Sequence, residues 1–69
     1  MELSETKVML IAGLKNILEN KDVITAIALM LRTDAQMETM LWWIHDHYQE
    51  NPSEDRVIRI AKLISEQVS

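Results

Sequence analysis

Two histidines flank an aspartate at His45, Asp46 and His47, and these residue types could bind a metal ion or transfer protons. If this segment is helical, residues two apart point about 200° apart, so the two histidines cannot share one ion within a chain. Metal-binding pairs on helices are spaced three or four residues apart. At that spacing only His47 and Glu50 could chelate an ion, and a single pair is a weak site. A site shared by two copies at a symmetry axis stays open as an alternative, and otherwise we expect no metal and no cofactor.

The chain lacks the motifs of nucleophilic catalysis and of phosphate binding. It has no cysteine, no serine beside the histidines and no G-x-S-x-G turn. Gly13 is the only glycine, which excludes a glycine-rich phosphate loop. We therefore expect a protein that is not an enzyme.

The histidines lie in the run 37–48, METMLWWIHDHY, which also holds both tryptophans and the only tyrosine. The spacing of apolar residues predicts a helix over residues 34–50. Thr33, with a glutamine three residues later, is a capping-box pattern at its start. Asn51 and the proline after it end the helix, because a residue before proline avoids the α region and asparagine tolerates a left-handed cap. The apolar stripe of this helix comprises Met37, Met40, Leu41, Ile44 and Tyr48.

Trp42 lies about a third of a turn outside that stripe, with Glu38 and Asp46 one turn before and after it. An exposed indole ringed by polar residues matches the anatomy of an interface hot spot, so we predict a protein-binding surface here. Its acidic neighbours favour a partner with a basic surface. The alternative is that Trp42 folds against a loop or the first helix, at the rim of the core. The predicted contact residues are Glu38, Trp42, Trp43, His45, Asp46 and Tyr48.

Three more helices are predicted, over about residues 5–19, 22–32 and 54–67. Between the first two, Asn20 is expected as the C-terminal cap of the first helix and Asp22 as the N-cap of the second. Short connections predict antiparallel neighbours. The expected fold is therefore all-α, a single domain of residues 1–69 forming a compact four-helix bundle or orthogonal array. The remaining N-caps are expected at Ser4 and Ser53.

Apolar residues on these three helices predict the rest of the core. The second helix is apolar on nearly all sides, which is typical of a buried helix. Gly13, inside the first helix, has two interpretations: a close helix crossing, within the chain or across a dimer, or a tolerated exposed glycine. The predicted core residues are Leu3, Leu10, Ile11, Leu14, Ile17 and Leu18 in the first helix, and Val57, Ile60, Ala61, Leu63, Ile64 and Val68 in the fourth.

The composition indicates more apolar surface than so short a chain can cover. Of its 69 residues 48% are hydrophobic, and a domain of this size buries only about 60% of the surface of its unfolded chain. Without cysteine it has no disulfide to stabilise it, and small domains often compensate by self-association. We expect a homodimer that works as a small protein–protein interaction module, an adaptor or an inhibitor. This small, acidic, helical composition would also suit an accessory protein of a phage.

Charge is unevenly distributed along the chain. The net charge of −4 opposes binding to nucleic acid and to anionic membranes. Residues 33–55 hold six acids and no lysine or arginine, so the acidic third helix and the basic fourth should attract, within one chain or between two copies. The alternative is that they are two solvated faces of opposite sign. The alternative function is a small helix-turn-helix-like DNA-binding regulator that uses the fourth helix. Its basic stripe comprises Arg56, Arg59 and Lys62.

No segment of the sequence is typical of membrane insertion or export. The start of the chain carries acids where a signal peptide needs positive charge. The longest uncharged run, 23–31, is too short to cross a bilayer. We expect a cytoplasmic protein that does not bind membranes.

Overall fold

The computed structural model describes residues 4–67, which fold into four α-helices joined by short connections. A 3-10 turn, Tyr48–Glu50, follows the third helix, and no strand occurs in the described part of the chain. The predicted all-α, four-helix fold is confirmed. Leu3 and Val68, which we expected in the core, lie outside the described residues. The helices are α1 (Glu5–Lys15), α2 (Lys21–Met30), α3 (Asp34–His47) and α4 (Glu54–Ser65).

Side-chain oxygens cap the start of each helix, where the first backbone N–H groups have no partner within the helix. The predicted caps Ser4, Thr33 and Ser53 are confirmed, since each accepts a hydrogen bond from the N–H three residues later, at 3.1, 3.1 and 3.2 Å. Asn51 has the expected left-handed conformation, with φ 50°, which turns the chain between α3 and α4. Local polar residues therefore determine three of the four helix starts as predicted.

The connection between α1 and α2 differs from the prediction. α1 ends at Lys15 and does not continue to residue 19, and Leu18 in the connection is buried in the core. Asn20 caps the start of α2 and not the end of α1, because its Oδ1 accepts from the Asp22 and Val23 N–H groups at 2.9 and 3.4 Å. Asp22 is consequently in the first turn of α2, beside the positive end of the helix dipole, and is not the N-cap.

The other helices also end earlier than predicted. α2 ends at Met30, and the next residue, Leu31, is extended and buried. α3 is α-helical only to His47 and tightens into the 3-10 turn for the last three of its predicted residues. α4 ends at Ser65 and not at residue 67.

The interior is a single cluster of aliphatic and methionine side chains from all four helices. The prediction that α2 is buried is wrong on one side, because its apolar residues Ala26 and Leu29 are exposed. Leu63 of α4, which we predicted in the core, is exposed as well. Tyr48, at the end of the apolar stripe of α3, is half-exposed. The buried cluster comprises Leu10, Leu14, Leu18, Ile24, Ile27, Leu31, Met37, Met40, Ile44, Val57, Ala61 and Ile64.

The most extensive helix packing joins α1 to α3, which are not neighbours in sequence. Met9 of α1 lies beside Glu38 and Trp42, and Asn16, two turns later, lies beside Tyr48. Rising residue numbers on α1 thus meet rising numbers on α3, so the two helices run in the same sense. Antiparallel packing was predicted for helices joined by a short connection, and it does not apply to this pair, because α2 carries the chain back between α1 and α3.

Gly13 lies where α1 and α3 cross. A Cβ at this position would meet Leu41 Cδ2 at 3.3 Å and Ile44 Cδ1 at 3.6 Å. Of the two interpretations of this glycine, the close helix crossing is confirmed, and it occurs within one chain. The missing side chain lets the α1 backbone approach α3 closely enough for both to form one surface.

Candidate protein-binding surface

Two adjoining depressions follow the line along which α1 and α3 meet. The first, of about 360 Å³, is lined by Met9, Glu38, Leu41, Trp42 and His45. The second, of about 500 Å³, is lined by Asn16, Leu41, Ile44, His45 and Tyr48. Leu41 and His45 line both depressions, which therefore adjoin along α3, and we call the two together the α1–α3 groove.

Trp42 forms one wall of the α1–α3 groove and is the most exposed aromatic side chain of the described residues. Its side chain is 68% exposed, so the alternative in which it folds against a loop or α1 as core rim is wrong. Met9, on the opposite wall, is 59% exposed. The His45 ring meets the indole edge-on, with ring centroids 6.0 Å apart. An aromatic and a thioether side chain thus face solvent across the same depression, an arrangement that can take up an apolar group.

Negative charge borders the α1–α3 groove. Among residues 4–67, Glu38 is the only carboxylate that lines the groove, and no lysine or arginine of that range lines it. Asp46 follows Trp42 by one turn of α3, and its Oδ1 is 3.4 Å from His45 Nδ1. Glu38 therefore lines the groove, and Asp46 lies beside its lining residue His45.

Trp43, although next in sequence, belongs to a different part of the surface. Its ring stacks on His47 with centroids 4.6 Å apart and an angle of 15° between planes, and His47 Nδ1 lies 2.8 Å from the Trp43 carbonyl oxygen. The guanidinium of Arg56 on α4 lies 5.5 Å from the ring centroid of Trp43 and pairs with Glu50 at 3.0 Å. Trp43 thus joins α3 to α4 within the chain, and the structure does not bring it together with Trp42.

The predicted basic stripe of α4 is partly neutralised by carboxylates of the same chain. Arg56 pairs with Glu50, and Arg59 pairs with Asp55 at 3.0 Å across one helical turn, as its spacing predicts. Lys62 lines a third depression, of about 320 Å³, together with Arg59, the exposed Leu63 and Glu66. This pairing lowers the positive charge that α4 offers to a phosphate backbone.

The histidines are separated, as the helical spacing predicts. His45 lies in the α1–α3 groove, whereas His47 is stacked on Trp43 on the side of α3 that faces α4. Between residues 4 and 67 no three His, Asp or Glu side chains are grouped so that they could hold a metal ion. Nor is any helix in this range long and apolar enough to cross a membrane.

Sequence reasoning missed the wall of the groove that α1 contributes. Met9 and Asn16 were not among the predicted contact residues, because periodicity describes one helix at a time and not which helix lies beside it. Met9 is an apolar residue outside the apolar face of α1, and this was the sequence signal that could have indicated a second exposed contact surface. Of the predicted contact residues, the structure brings Glu38, Trp42, His45 and Tyr48 together in the groove, with Asp46 adjacent.

No protein-family model, no curated protein and no solved structure matches this chain.

Proposed function

We propose that this chain is a non-enzymatic protein-interaction module, an adaptor or an inhibitor, that binds its partner in the α1–α3 groove. The observation that carries the proposal is the 68% exposure of Trp42 beside an apolar depression. Tryptophan is among the residues most often found at the energetic centre of protein interfaces. Leaving an indole in water in the free chain forgoes burial energy that a partner can then recover.

The surroundings of Trp42 support a binding role over a merely tolerated exposed residue. The half-buried Leu41 forms the floor beside it, and the buried Ile44 continues that floor toward Tyr48. A side chain of a partner placed over Leu41 would touch apolar groups on both helices. Such a site combines a central apolar contact with a polar margin, as interface hot spots do.

The homodimer expected from the composition remains a prediction. The apolar surplus itself is visible, since six large hydrophobic side chains of the described residues are about half-exposed or more. Three of the six do not line the groove, and two of these, Leu29 on α2 and Leu63 on α4, lie on helices that do not form it. They provide matched controls for any test of Trp42.

Replacing Trp42 with alanine should abolish binding without unfolding the chain. The test is selection from an unbiased library of ribosome-displayed peptides on the immobilised wild-type protein. Affinities of the selected peptides are then measured for wild type, Trp42→Ala and Leu29→Ala. Because Leu29 is as exposed as Trp42, at 69%, it controls for the loss of an exposed apolar group. We expect a loss of about thirtyfold or more for Trp42→Ala, as for a hot spot, and almost none for Leu29→Ala.

The urea midpoint of each variant serves as the folding control, and we expect both to stay close to wild type because both side chains face solvent. Failure to select any peptide would contradict the proposal. So would a set of peptides that bind Trp42→Ala as tightly as wild type.

A further inference from the structure

We infer that the occupant of the α1–α3 groove is an amphipathic helix of another protein, with lysine or arginine beside its apolar stripe. This inference rests on the proposed function and specifies the partner of the same site. Three properties of the groove lead to it: its shape, its charge and its poor match to a second copy of this chain.

The shape of the groove fits a helix. Its two walls are helices that run in the same sense, and a third helix can lie along the valley between two packed helices. From Glu38 to Tyr48 the wall formed by α3 and the start of the 3-10 turn covers eleven residues, a length of about 15 Å at the helical rise, or almost three turns. A helix of that length presents apolar side chains at positions i, i+3 or i+4, and i+7 along one line, the spacing used in helix-in-groove recognition. The described residues contain no strand, and hence no sheet edge that an extended peptide could join.

The charge of the groove selects basic residues on that helix. Glu38 has no ion-pair partner among residues 4–67. Asp34, one turn earlier on α3, is also exposed, so the acids extend along the groove beyond its end. A lysine or arginine beside the partner's apolar stripe would meet Glu38 next to Trp42 and Met9, and the apolar contact would partly exclude water from the pair. Such a pair contributes more than a fully exposed one.

A second copy of this chain matches the groove less well. If two copies joined groove to groove about a two-fold axis, each Glu38 would approach the acidic margin of the other copy, because the same patch faces itself. A candidate outside the groove of a second copy is the face of α4 around the exposed Leu63, which carries the basic stripe. Arg59, Lys62 and Glu66 surround Leu63 on that face. Arg59 is already paired with Asp55, so the face offers little free positive charge to the groove. A foreign basic helix meets neither obstacle.

The test uses three synthetic peptides of about four helical turns. The first has leucines at i, i+3, i+4 and i+7 with lysine and arginine at the remaining positions. The second keeps the leucines and replaces the bases with glutamate, and the third has the composition of the first in an order that breaks the stripe. Binding is followed by the fluorescence of Trp42 in a Trp43→Phe background. Only the first peptide should bind tightly.

Charge reversal at the groove provides the matched variants. Glu38→Lys should weaken the first peptide by about tenfold or more, whereas Glu19→Lys should leave its affinity nearly unchanged. Glu19 is exposed in the connection between α1 and α2 and does not line the groove, yet its replacement changes the net charge equally. The pair therefore separates a local contact from general attraction to an acidic protein.

Each other outcome overturns the inference in a distinguishable way. If the acidic peptide binds as tightly as the basic one and both depend on Trp42, the partner is not basic, but the proposed function stands. Equal binding of the broken-stripe peptide would mean that charge alone attracts these peptides. If no peptide binds while sedimentation equilibrium shows a dimer that Trp42→Ala dissociates, the occupant is a second copy. If neither peptide binding nor self-association is found, both the inference and the proposed function fail.

Discussion

Leu14→Ala is expected to lower the free energy of unfolding by about 2–5 kcal/mol, the range for removing a fully buried leucine. Leu14 has no solvent exposure and lies in the cluster that joins the four helices. A chain of this length is expected to have a total stability of only about 3–10 kcal/mol, so this one substitution removes a large part of it. Urea unfolding followed by helical circular dichroism measures the change. A variant that loses less than about 1 kcal/mol would show that α1 is not packed as described.

Leu29→Ala is the control for that experiment. It removes the same atoms from a side chain that is 69% exposed on α2. Its effect should stay within about 0.5 kcal/mol, as for other surface substitutions. If both leucine substitutions had equal effects, the burial described for α2 would be wrong.

Gln36→Leu is expected to lower the free energy of unfolding, measured by urea unfolding, by about 1–3 kcal/mol, although it places a more apolar residue at a buried position. The Gln36 Oε1 accepts from the Arg32 N–H at 2.9 Å, and its Nε2 donates to the carbonyl oxygens of Ser65 and Gln67 at 3.4 and 3.2 Å. One side chain thus ties the α2–α3 connection to the end of α4. Leucine fills similar space but leaves the Arg32 N–H and the carbonyl oxygens of Ser65 and Gln67 without the hydrogen bonds of the Gln36 side chain.

Gln36→Glu sharpens this test because its effect should depend on pH. An ionised carboxylate would face the two carbonyl oxygens, which favours the neutral acid and raises the pKa of the introduced group in the folded state. Below the unfolded pKa, about 4.3, the acid is protonated in both states and can donate one of the lost hydrogen bonds. Stability relative to wild type should therefore be highest there and should fall as the pH rises through the folded pKa. A stability difference from wild type that does not vary with pH would contradict this account of Gln36.

The helix starts were predictable because they depend on local chemistry. A serine or threonine before a run of helix formers satisfies the same N–H groups wherever the helix lies, and Ser4, Thr33 and Ser53 all do so. The predicted capping box is only half formed. Thr33 Oγ1 accepts from the Gln36 N–H, but Gln36 Oε1 accepts from the Arg32 N–H and not from the N–H of Thr33. Asn20 was assigned to the wrong helix because asparagine serves equally well at the end of one helix and at the start of the next.

The position of Trp42 was predictable from helical spacing, but its surroundings were not. At 100° per residue the indole falls outside the apolar stripe, whatever the rest of the chain does. The opposite wall depends on which helix packs beside α3. That pairing involves residues far apart in sequence, such as Gly13 and Leu41, which periodicity does not connect. Periodicity fixes the direction of a side chain on its own helix and contains no information about the neighbouring helix.

The central claim is that the Trp42 indole faces water in the free chain and is covered when a partner binds. Collisional quenching by acrylamide tests it most directly, with Trp43→Phe leaving only Trp42 and Trp42→Phe leaving only Trp43. In the free monomer we expect strong quenching of Trp42 that drops when the basic amphipathic peptide is added, while the partly buried Trp43 changes little in either state. An indole at position 42 that is already shielded in the free monomer, or equally quenched with and without bound peptide, would contradict the claim.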